Sequence, residues 1–456
     1  MIIIQNGALV TEEGTVYADL AIHGEKIARI ASRIPEGPGD EVIDAAGMTV
    51  FPGFIDGHTH FDMDNGLTVT ADDFNTGTKA ALVGGTTTVI DFATQERGDT
   101  LHHALESWHQ KADGRSSCHY AFHMAIPDWN AHTKAELKDM FAAGVSSFKL
   151  YLAYDNLRLR DGEVYEILRE MKRLGGVMGV HCENGDLVNA GVARQKAEHC
   201  FAPAGHPASR PPVVEAEAVR RLLAISQLTD CAVNIVHLSS LAGLEEVRRA
   251  RACGRRVMVE TCPQYLLLND DCYRLPGFEG GRFICSPPIR SERDRQAIQE
   301  ALLNGEIDTV ATDHCSYTLA QKAMGETDFS RVPNGLPGVE HRPAAIYGSY
   351  VATGQMTAAA MSRLLATNPA RQFGLYPEKG VLRPGSDADI VLWDGAAKQT
   401  VTAGAQLQHT DYTPFEGKVF QGKARDVLLT GKLVVKDGKI VAENRGRYAA
   451  RRPVEV

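Results

Sequence analysis

The chain has 456 residues, of which 44% are hydrophobic and 23% charged, and its formal net charge is −9 at pH 7. This balance is typical of a globular protein with a sizeable core, and the length exceeds that of one ordinary domain. The negative charge argues against nucleic-acid or anionic-membrane partners, which attract basic surfaces. The nine cysteines include no CxxC pair, and the sequence has no signal peptide and no membrane-length apolar run, so we predict a cytoplasmic protein.

Short strands separated by turns are predicted at both ends of the chain. These runs lie at 2–4, 18–24, 27–30, 387–393 and 427–441. We expect one small β-sandwich domain formed from residues 1–50 and 376–445, with two unrelated β appendages as the alternative. The basic tail, 446–456, is either a contact with a neighbouring subunit or a solvated end.

The central region alternates β-branched runs with amphipathic helical patterns. The candidate strands lie at 51–55, 86–92, 119–126, 146–152, 176–180, 232–236, 257–261 and 307–312. The helical patterns between them include 134–143, 161–174, 214–228 and 292–303. Repeated βα units of this number predict an α/β fold, a closed (β/α)8 TIM-like barrel over residues 51–375. An open, doubly wound sheet is the alternative.

Residue types that bind metals close several of the predicted strands. The first strand leads into His58-Thr59-His60, and residues two apart on a strand point to the same face. His181, His237 and Asp313 each follow a later apolar run. A single histidine in such a place is more often a core or loop residue, but the strand ends of a barrel meet at one rim, where barrel enzymes keep their active sites. The repeated set therefore predicts a site for Zn, Mn, Co or Ni.

Lys149 lies inside the apolar run 146–152. An isolated ammonium is costly to bury and tends to lose its charge there. One interpretation is a lysine whose charged head reaches the barrel rim. The other is a neutral amine that captures carbon dioxide as a carbamate and bridges two metals ~3.5–4 Å apart. The residues alone leave both interpretations open.

The ordered set of these residues resembles the amidohydrolase superfamily with a binuclear metal site. Longer motifs narrow the resemblance to dihydropyrimidinases and D-hydantoinases, especially phenylhydantoinase-type members, from about residue 2 to about 450. The motifs are FKLYLAY at 148–154, HPASRP at 206–211, ETCPQYL at 260–266, SPPIR at 286–290, ATDHC at 311–315 and PNGLPGVE at 333–340. The ordered set is far more specific than an isolated HxH pair.

The resemblance implies a two-metal centre. His58, His60 and Asp313 would bind the more buried metal. His181 and His237 would bind the more exposed one, and the buried lysine, as N6-carboxylysine, would bridge the pair together with a hydroxide. Zinc is the favoured metal, with manganese, cobalt or nickel as alternatives, and carbon dioxide is required for the lysine carboxylation.

The resemblance also implies a reaction, the opening of 5,6-dihydropyrimidines or 5-substituted hydantoins to N-carbamoyl amino acids by attack of the bridging hydroxide. Asp313 would act as general base and then as general acid. Tyr154 would stabilise the oxyanion, or else pack on a loop at the rim. Ser286 and Asn334 would bind the ring imide of this small cyclic ureide through backbone groups. Related enzymes are usually homotetramers or homodimers.

The pocket for the exocyclic substituent is the least defined part of the predicted site. The resemblance places Met63, Leu67 and Tyr151 beside it, along with Leu157 and Arg158. Arg158 either admits a polar substituent or faces solvent, and we favour the second interpretation.

Four other functions share parts of this pattern. Dihydroorotases carry an arginine two residues after the HxH pair, where this chain has Asp62. An allantoinase remains an alternative, since allantoin also contains a hydantoin ring. A non-catalytic dihydropyrimidinase-related scaffold would have lost metal ligands, and a one-metal deaminase would not need Lys149.

Overall fold

The computed structural model describes residues 1–454. The chain opens with five strands. They are β1 (Ile2–Thr11), β2 (Gly14–His23), β3 (Lys26–Ala31), β4 (Glu41–Asp44) and β5 (Thr49–Pro52).

Eight parallel strands then form the barrel, and they pair in sequence order. They are β6 (Phe54–Thr59), β7 (Thr86–Thr94), β8 (His119–Ala125), β9 (Ser147–Tyr151), β10 (Val177–His181), β11 (Val233–Ile235), β12 (Val257–Thr261) and β13 (Thr309–Val310). The ring closes just beyond β13, where Thr59 bridges to His314 and the His60 amide donates to the His314 carbonyl at 2.8 Å. The predicted parallel barrel is confirmed.

Helices connect the barrel strands and cover them. The α-helices are α1 (Phe74–Val83), α2 (Leu101–Ala112), α3 (Ala131–Ala142), α4 (Asp161–Leu174), α5 (Gly185–Ala197), α6 (Gly205–Ser209), α7 (Pro212–Thr229), α8 (Leu241–Ala252), α9 (Pro263–Leu267), α10 (Glu292–Leu303), α11 (Leu319–Lys322), α12 (Arg342–Ile346), α13 (Ala358–Ser362) and α14 (Asn368–Gln372). Short 3₁₀ segments lie at Asp270–Arg274, Glu279–Phe283, Ala323–Gly325 and Phe329–Arg331, and π-helical segments at Tyr347–Val351 and Arg363–Thr367. Within residues 1–454, no helix is long and apolar enough to cross a membrane.

Four further strands return the chain to the N-terminal segment. They are β14 (Ile390–Thr400), β15 (Val419–Leu429), β16 (Lys432–Lys436) and β17 (Lys439–Ile440). Because β14 pairs with β5, both ends of the chain form one nine-stranded mixed sheet with its own apolar core. The predicted β domain shared between the two ends is therefore confirmed, and its exact boundaries stay a prediction.

One predicted strand spans two elements. The apolar run 51–55 covers the end of β5 in the terminal sheet and the start of β6 in the barrel. The chain passes between the two sheets at Gly53, whose amide donates to the Asp389 carbonyl at 2.8 Å. A Cβ atom on Gly53 would lie 2.0 Å from the Thr87 hydroxyl, so the crossing requires glycine.

The basic tail packs on the barrel of its own chain. The Ala449 amide donates to the Tyr120 carbonyl at 2.8 Å, and the Arg451 amide donates to the Gly144 carbonyl at 2.9 Å. The Arg451 side chain is buried and hydrogen-bonds Ser147 and the Phe122 carbonyl. The described part of the tail, residues 446–454, therefore covers the end of the barrel opposite to the rim formed by the carboxyl ends of the strands, and residues 455–456 lie outside the described part of the chain.

Candidate metal centre

The six predicted ligands all lie at the carboxyl-terminal part of the barrel. They belong to five separate βα units. Because parallel barrel strands all end at the same rim, residues up to 255 positions apart in the sequence meet there. They are His58 and His60 at the end of β6, Lys149 within β9, His181 at the end of β10, His237 after β11 and Asp313 after β13.

The first group of donor atoms comprises His58, His60 and Asp313. The Asp313 Oδ1 atom lies 3.1 Å from Nε2 of each imidazole, and one donor atom from each residue lies within 4.8 Å of the others. Burial raises the pKa of Asp313, but the His58 and His60 imidazoles outweigh it and hold the pKa well below its ordinary value. Asp313 is therefore an ionised oxygen donor between two imidazole nitrogens.

The second group comprises His181 and His237. Nδ1 of His181 faces Nε2 of His237 at 3.1 Å, and burial lowers the pKa of both imidazoles. The Nε2 atom of His181 lies 3.0 Å from the Glu183 carboxylate, which holds the proton on that nitrogen. The Nδ1 lone pair of His181 is thus left pointing towards His237. Two neutral imidazole nitrogens that face each other in this way suit a cation between them.

Lys149 lies between the two groups. Its Nζ atom is 3.4 Å from His58 Nε2 and lies over the rings of Phe92 and Tyr151, 5.0 and 5.3 Å from their centroids. The His58 and His237 ring centroids are 5.5 Å apart, so one group at Lys149 can reach both donor sets. Burial lowers the pKa of Lys149 to about 8. The neutral amine, the form that reacts with carbon dioxide, is therefore far more populated near physiological pH than in an exposed lysine, although the ammonium still predominates.

A carboxylate also orients His58. Nδ1 of His58 lies 2.7 Å from Oε1 of Glu260, and both side chains are buried. This contact leaves Nε2 of His58 free to face Asp313 and Lys149. Together, imidazole nitrogens, an ionised carboxylate and orienting carboxylates fit divalent transition metals.

Three of the candidate site residues hold left-handed backbone conformations that are unusual for side chains with a Cβ atom. The φ angles are 66° at Tyr154, 42° at His237 and 52° at Asp313. Such conformations cost about 1–3 kcal/mol each and persist where the surrounding structure fixes them, most often at functional sites. Three of the ten non-glycine residues with a positive φ in residues 1–454 therefore belong to the candidate site.

A chain of polar contacts links the second donor group to the predicted substrate side. The Glu183 carboxylate accepts from Arg210 at 3.1 Å, and Arg210 in turn donates to the Ser286 hydroxyl at 2.7 Å. Burial raises the pKa of Glu183, but Arg210 and His181 outweigh it and lower the pKa to about 2. Tyr154 lies beside Arg210 and Ser286, and burial raises the pKa of its hydroxyl to about 12. Tyr154 is therefore a protonated hydrogen-bond donor at neutral pH.

The remaining predicted substrate residues surround this rim at different depths. Tyr151 is buried, and its ring centroid lies 6.0 Å from that of His181. Asn334 and Met63 are half-buried, whereas Leu67 is 50% exposed on the loop after β6. Arg158 forms ion pairs with two surface carboxylates, Asp155 and Asp186, which favours the solvent-facing interpretation.

Three buried residues that touch the site were given no role from the sequence. They are Glu183, Arg210 and Glu260. Glu183 follows His181 by two positions, and this spacing was the only local signal for it. Arg210 and Glu260 lie within the resemblance motifs, but their partners come from distant parts of the chain.

Comparisons with known proteins agree with this geometry. The model of the amidohydrolase family matches residues 49–434. A D-hydantoinase of Ralstonia pickettii is 40% identical over 99% of both chains, and a D-phenylhydantoinase of Escherichia coli is 41% identical over 99% of this chain and 98% of its own. The crystal structure of a dihydropyrimidinase from Brevibacillus agri superposes with a TM-score of 0.98 at 38% identity, covering 100% of this chain and 99% of the other.

The chain belongs to the amidohydrolase family. Within that family its relatives are D-hydantoinases and dihydropyrimidinases matched over nearly the full length, which confirms the resemblance found in the sequence motifs.

Proposed function

We propose that the protein is a metal-dependent cyclic-amide hydrolase that opens 5,6-dihydropyrimidines or 5-substituted hydantoins to N-carbamoyl amino acids. The observation that carries this proposal is the convergence of two imidazole pairs, Asp313 and a buried amine at one barrel rim. The full-length relatives, with about 40% identity, place cyclic ureides first among the candidate substrates.

The proposed centre holds two divalent cations. His58, His60 and Asp313 would hold one, and His181 with His237 would hold the other. Lys149 would help to hold the cations after its neutral amine adds carbon dioxide, with formation of a nitrogen–carbon bond and loss of one proton, since the carbamate would present a carboxylate-type ligand. Zinc is the favoured metal, and manganese, cobalt or nickel suit the same donors. When bound, the cations would supply an activated water and polarise the ring carbonyl.

The side chains at the rim perform the proton transfers and bind the ring. Asp313 accepts a proton from the attacking water and returns it to the ring nitrogen as the carbon–nitrogen bond breaks. Tyr154, protonated at neutral pH, donates to the carbonyl oxygen as negative charge develops there. Backbone groups at Ser286 and Asn334 bind the imide, which orients the carbonyl carbon towards the water.

We further propose that Met63, Leu67 and Tyr151 line the pocket for the exocyclic substituent. Tyr151 is buried beside the candidate metal centre, whereas Met63 is half-buried and Leu67 is exposed on the loop after β6, so the proposed pocket walls differ in exposure. Replacing Leu67 with Ser should change the relative kcat/KM of aryl-substituted and unsubstituted rings without changing metal content. An unchanged ratio would remove this residue from the pocket.

A homotetramer or homodimer in the cytoplasm completes the proposal. The free cysteines suit a reducing compartment, and large exposed apolar side chains such as Leu228 and Val213 suit subunit contacts. Light scattering of the purified chain tests the assembly, and a monomeric mass would contradict it.

The decisive experiment is a turnover panel combined with metal analysis. The purified chain, loaded with a divalent metal and bicarbonate, is assayed on dihydrouracil, 5-substituted hydantoins, dihydroorotate and allantoin. We expect N-carbamoyl products from the first two classes and about two metals per chain. An Asp313→Asn chain is the inactive control. Turnover of allantoin alone would overturn the proposal in favour of an allantoinase, and absence of both metal and activity would favour a non-catalytic scaffold.

A further inference from the structure

Lys322 is a second fully buried lysine near the rim, at the end of α11. Its Nζ atom donates to the carbonyl oxygens of Ile284 at 2.8 Å, Pro333 at 2.7 Å and Gly335 at 2.7 Å. All three partners are neutral carbonyls, and they match the three N–H bonds of an ammonium group. A buried lysine without a carboxylate partner is costly, and an apolar residue in its place would leave the three carbonyls without this donor.

The three carbonyls belong to the two segments that carry the proposed imide-binding residues. Ile284 lies two positions before Ser286, and Pro333 and Gly335 flank Asn334. The segments also contact each other directly, since the Gly335 amide donates to the Ile284 carbonyl at 3.0 Å. Lys322 therefore fixes two distant stretches of chain at a single point.

The same contact region reaches the metal side of the rim. The Cys315 amide, two residues after Asp313, donates to the Leu336 carbonyl at 3.0 Å. A Cβ atom on Gly335, whose φ is 153°, would lie 2.3 Å from the Cys315 carbonyl oxygen. The segment that carries Asn334 thus packs between the Lys322 amino group on one side and the segment after β13 that carries Asp313 on the other.

We propose that Lys322 is a positioning residue that sets the spacing of the Ser286 and Asn334 segments, and thereby the binding of the planar substrate ring. The inference rests on the proposed function for its substrate. Lys322 reaches no reacting atom, because its three donors are occupied by backbone carbonyls. Loss of the Lys322 amino group should weaken binding of the ring equally in the ground state and in the transition state. It should therefore raise KM more than it lowers kcat.

The test compares Lys322→Met and Lys322→Gln with a Lys379→Met control in the metal-loaded, full-length chain. Lys379 is also buried, but it pairs with carboxylates in the terminal region. We expect Lys322→Met to raise KM by about tenfold or more, the equivalent of at least one lost hydrogen bond, with kcat and metal content close to those of the unmodified chain. The KM of Lys322→Gln, which keeps two N–H donors, should lie between those of Lys322→Met and the unmodified chain. Lys379→Met should leave KM unchanged.

Amide hydrogen exchange without substrate provides a readout that does not depend on activity. Relative to the rest of the barrel, exchange at 284–289 and 333–338 should accelerate by about tenfold in Lys322→Met. Lys379→Met weakens the terminal sheet and should not accelerate these two segments selectively, because only the first variant releases them. Unchanged exchange, or a fall in kcat and metal content at constant KM, would overturn the proposal. Failure of both Lys322 variants to fold would assign the residue to global stability and also overturn it.

The two hypotheses fail separately. An unmodified chain that hydrolyses none of the panel substrates would contradict the proposed function. Accelerated exchange in Lys322→Met would then still establish that Lys322 fixes the two segments, while their role in binding a cyclic ureide would be lost.

Discussion

Two fully buried lysines lie near the same barrel rim in opposite surroundings. Lys149 Nζ is 3.4 Å from an imidazole nitrogen of His58 and lies over two aromatic rings, whereas Lys322 Nζ donates to three carbonyls at 2.7–2.8 Å. Three carbonyl acceptors match the N–H donors of Lys322, whereas Lys149 has no such set. Burial lowers the pKa of both side chains, to about 8 at Lys149 and about 7 at Lys322, so the contrast between them lies in their hydrogen-bond partners. Burial alone therefore does not define the role of a lysine; its hydrogen-bond partners do.

A third buried lysine completes the comparison. Lys379 Nζ lies 2.6 Å from Asp389 and 2.9 Å from Asp387. Burial lowers its pKa, but the two carboxylates outweigh burial and raise the pKa above the ordinary value. The three environments thus favour an amine open to reaction at Lys149, a positioning N–H donor at Lys322 and a structural ion pair at Lys379.

Removing Lys149 should have the largest effect on activity. Lys149→Ala deletes the proposed bridge between the two donor groups, so we expect loss of at least one metal per chain. The fall in kcat should exceed the ~10²–10³-fold that loss of a single transition-state donor costs. Metal quantification and steady-state kinetics on the best panel substrate measure both effects, and short carboxylic acids should restore part of the activity. Full metal content together with full rate would show that the bridge is wrong.

Carbon-13 labelling tests the contrast between Lys149 and Lys322 directly. After reloading with metal and labelled bicarbonate, the unmodified chain should give one carbamate signal by NMR. The signal should persist in Lys322→Met and disappear in Lys149→Ala. A signal that follows Lys322 instead would reverse the assignment of the two lysines.

Tyr154 gives the next largest expected effect. Its protonated hydroxyl lies near the metal centre, with its ring centroid 5.2 Å from that of His181. Tyr154→Phe should lower kcat by about 10²–10³-fold, the usual cost of losing one donor to a developing oxyanion. Metal content should not change. Tyr120→Phe, at the opposite end of the barrel, is the matched control, and equal rates for the two variants would place Tyr154 outside the reaction.

Breaking the Glu183–Arg210 ion pair should lower metal affinity and activity less than the loss of the Tyr154 hydroxyl lowers kcat. Arg210→Met removes the cation that joins Glu183 to Ser286, and so frees both the His181 imidazole and the substrate side. Loss of such outer partners typically costs about 10–100-fold in metal affinity or activity. Metal titration and kcat/KM measure the loss. A loss of thermal stability with unchanged metal affinity and kcat/KM would reduce the pair to a structural role.

The sequence predicted the barrel and the six candidate ligands because both leave local signals. Each strand is a short apolar run, and His58, His181 and Asp313 each lie at or just beyond the end of one. The run 51–55 was assigned to a single strand because continuous apolar residues do not mark where a chain leaves one sheet for another. The crossing depends on the close approach of Gly53 to Thr87, which only the three-dimensional structure contains.

The supporting residues of the site were missed for a related reason. Arg210 and Ser286 are 76 positions apart, and Lys322 joins carbonyls 38 and 11–13 positions away. Contacts with backbone carbonyls carry no residue-type signature, so nothing near Lys322 in the sequence distinguishes it from a surface lysine. Short apolar runs report secondary structure, whereas these roles follow from how the loops pack.

The smallest expected effect on activity is that of Lys379→Met, and its stability effect should depend on pH. Burial raises the pKa of Asp389, but Lys379 and His119 outweigh it and hold the pKa well below the ~3.9 of an unfolded chain. The ion pair therefore adds stability above that unfolded pKa, and the contribution is lost as pH falls through the folded pKa. Lys379→Met should be destabilised by about 3–5 kcal/mol at pH 7, because it removes the lysine partner of a buried carboxylate.

The deficit of Lys379→Met should narrow as pH falls towards 3, since protonated Asp389 no longer needs the lysine. Urea unfolding at a series of pH values measures it. Lys149→Ala is the control, because it leaves the ion pair between Lys379 and Asp389 intact. Its difference in unfolding free energy from the unmodified chain should not narrow as pH falls. A pH-independent deficit in Lys379→Met would mean that packing, rather than charge, determines what the third lysine contributes.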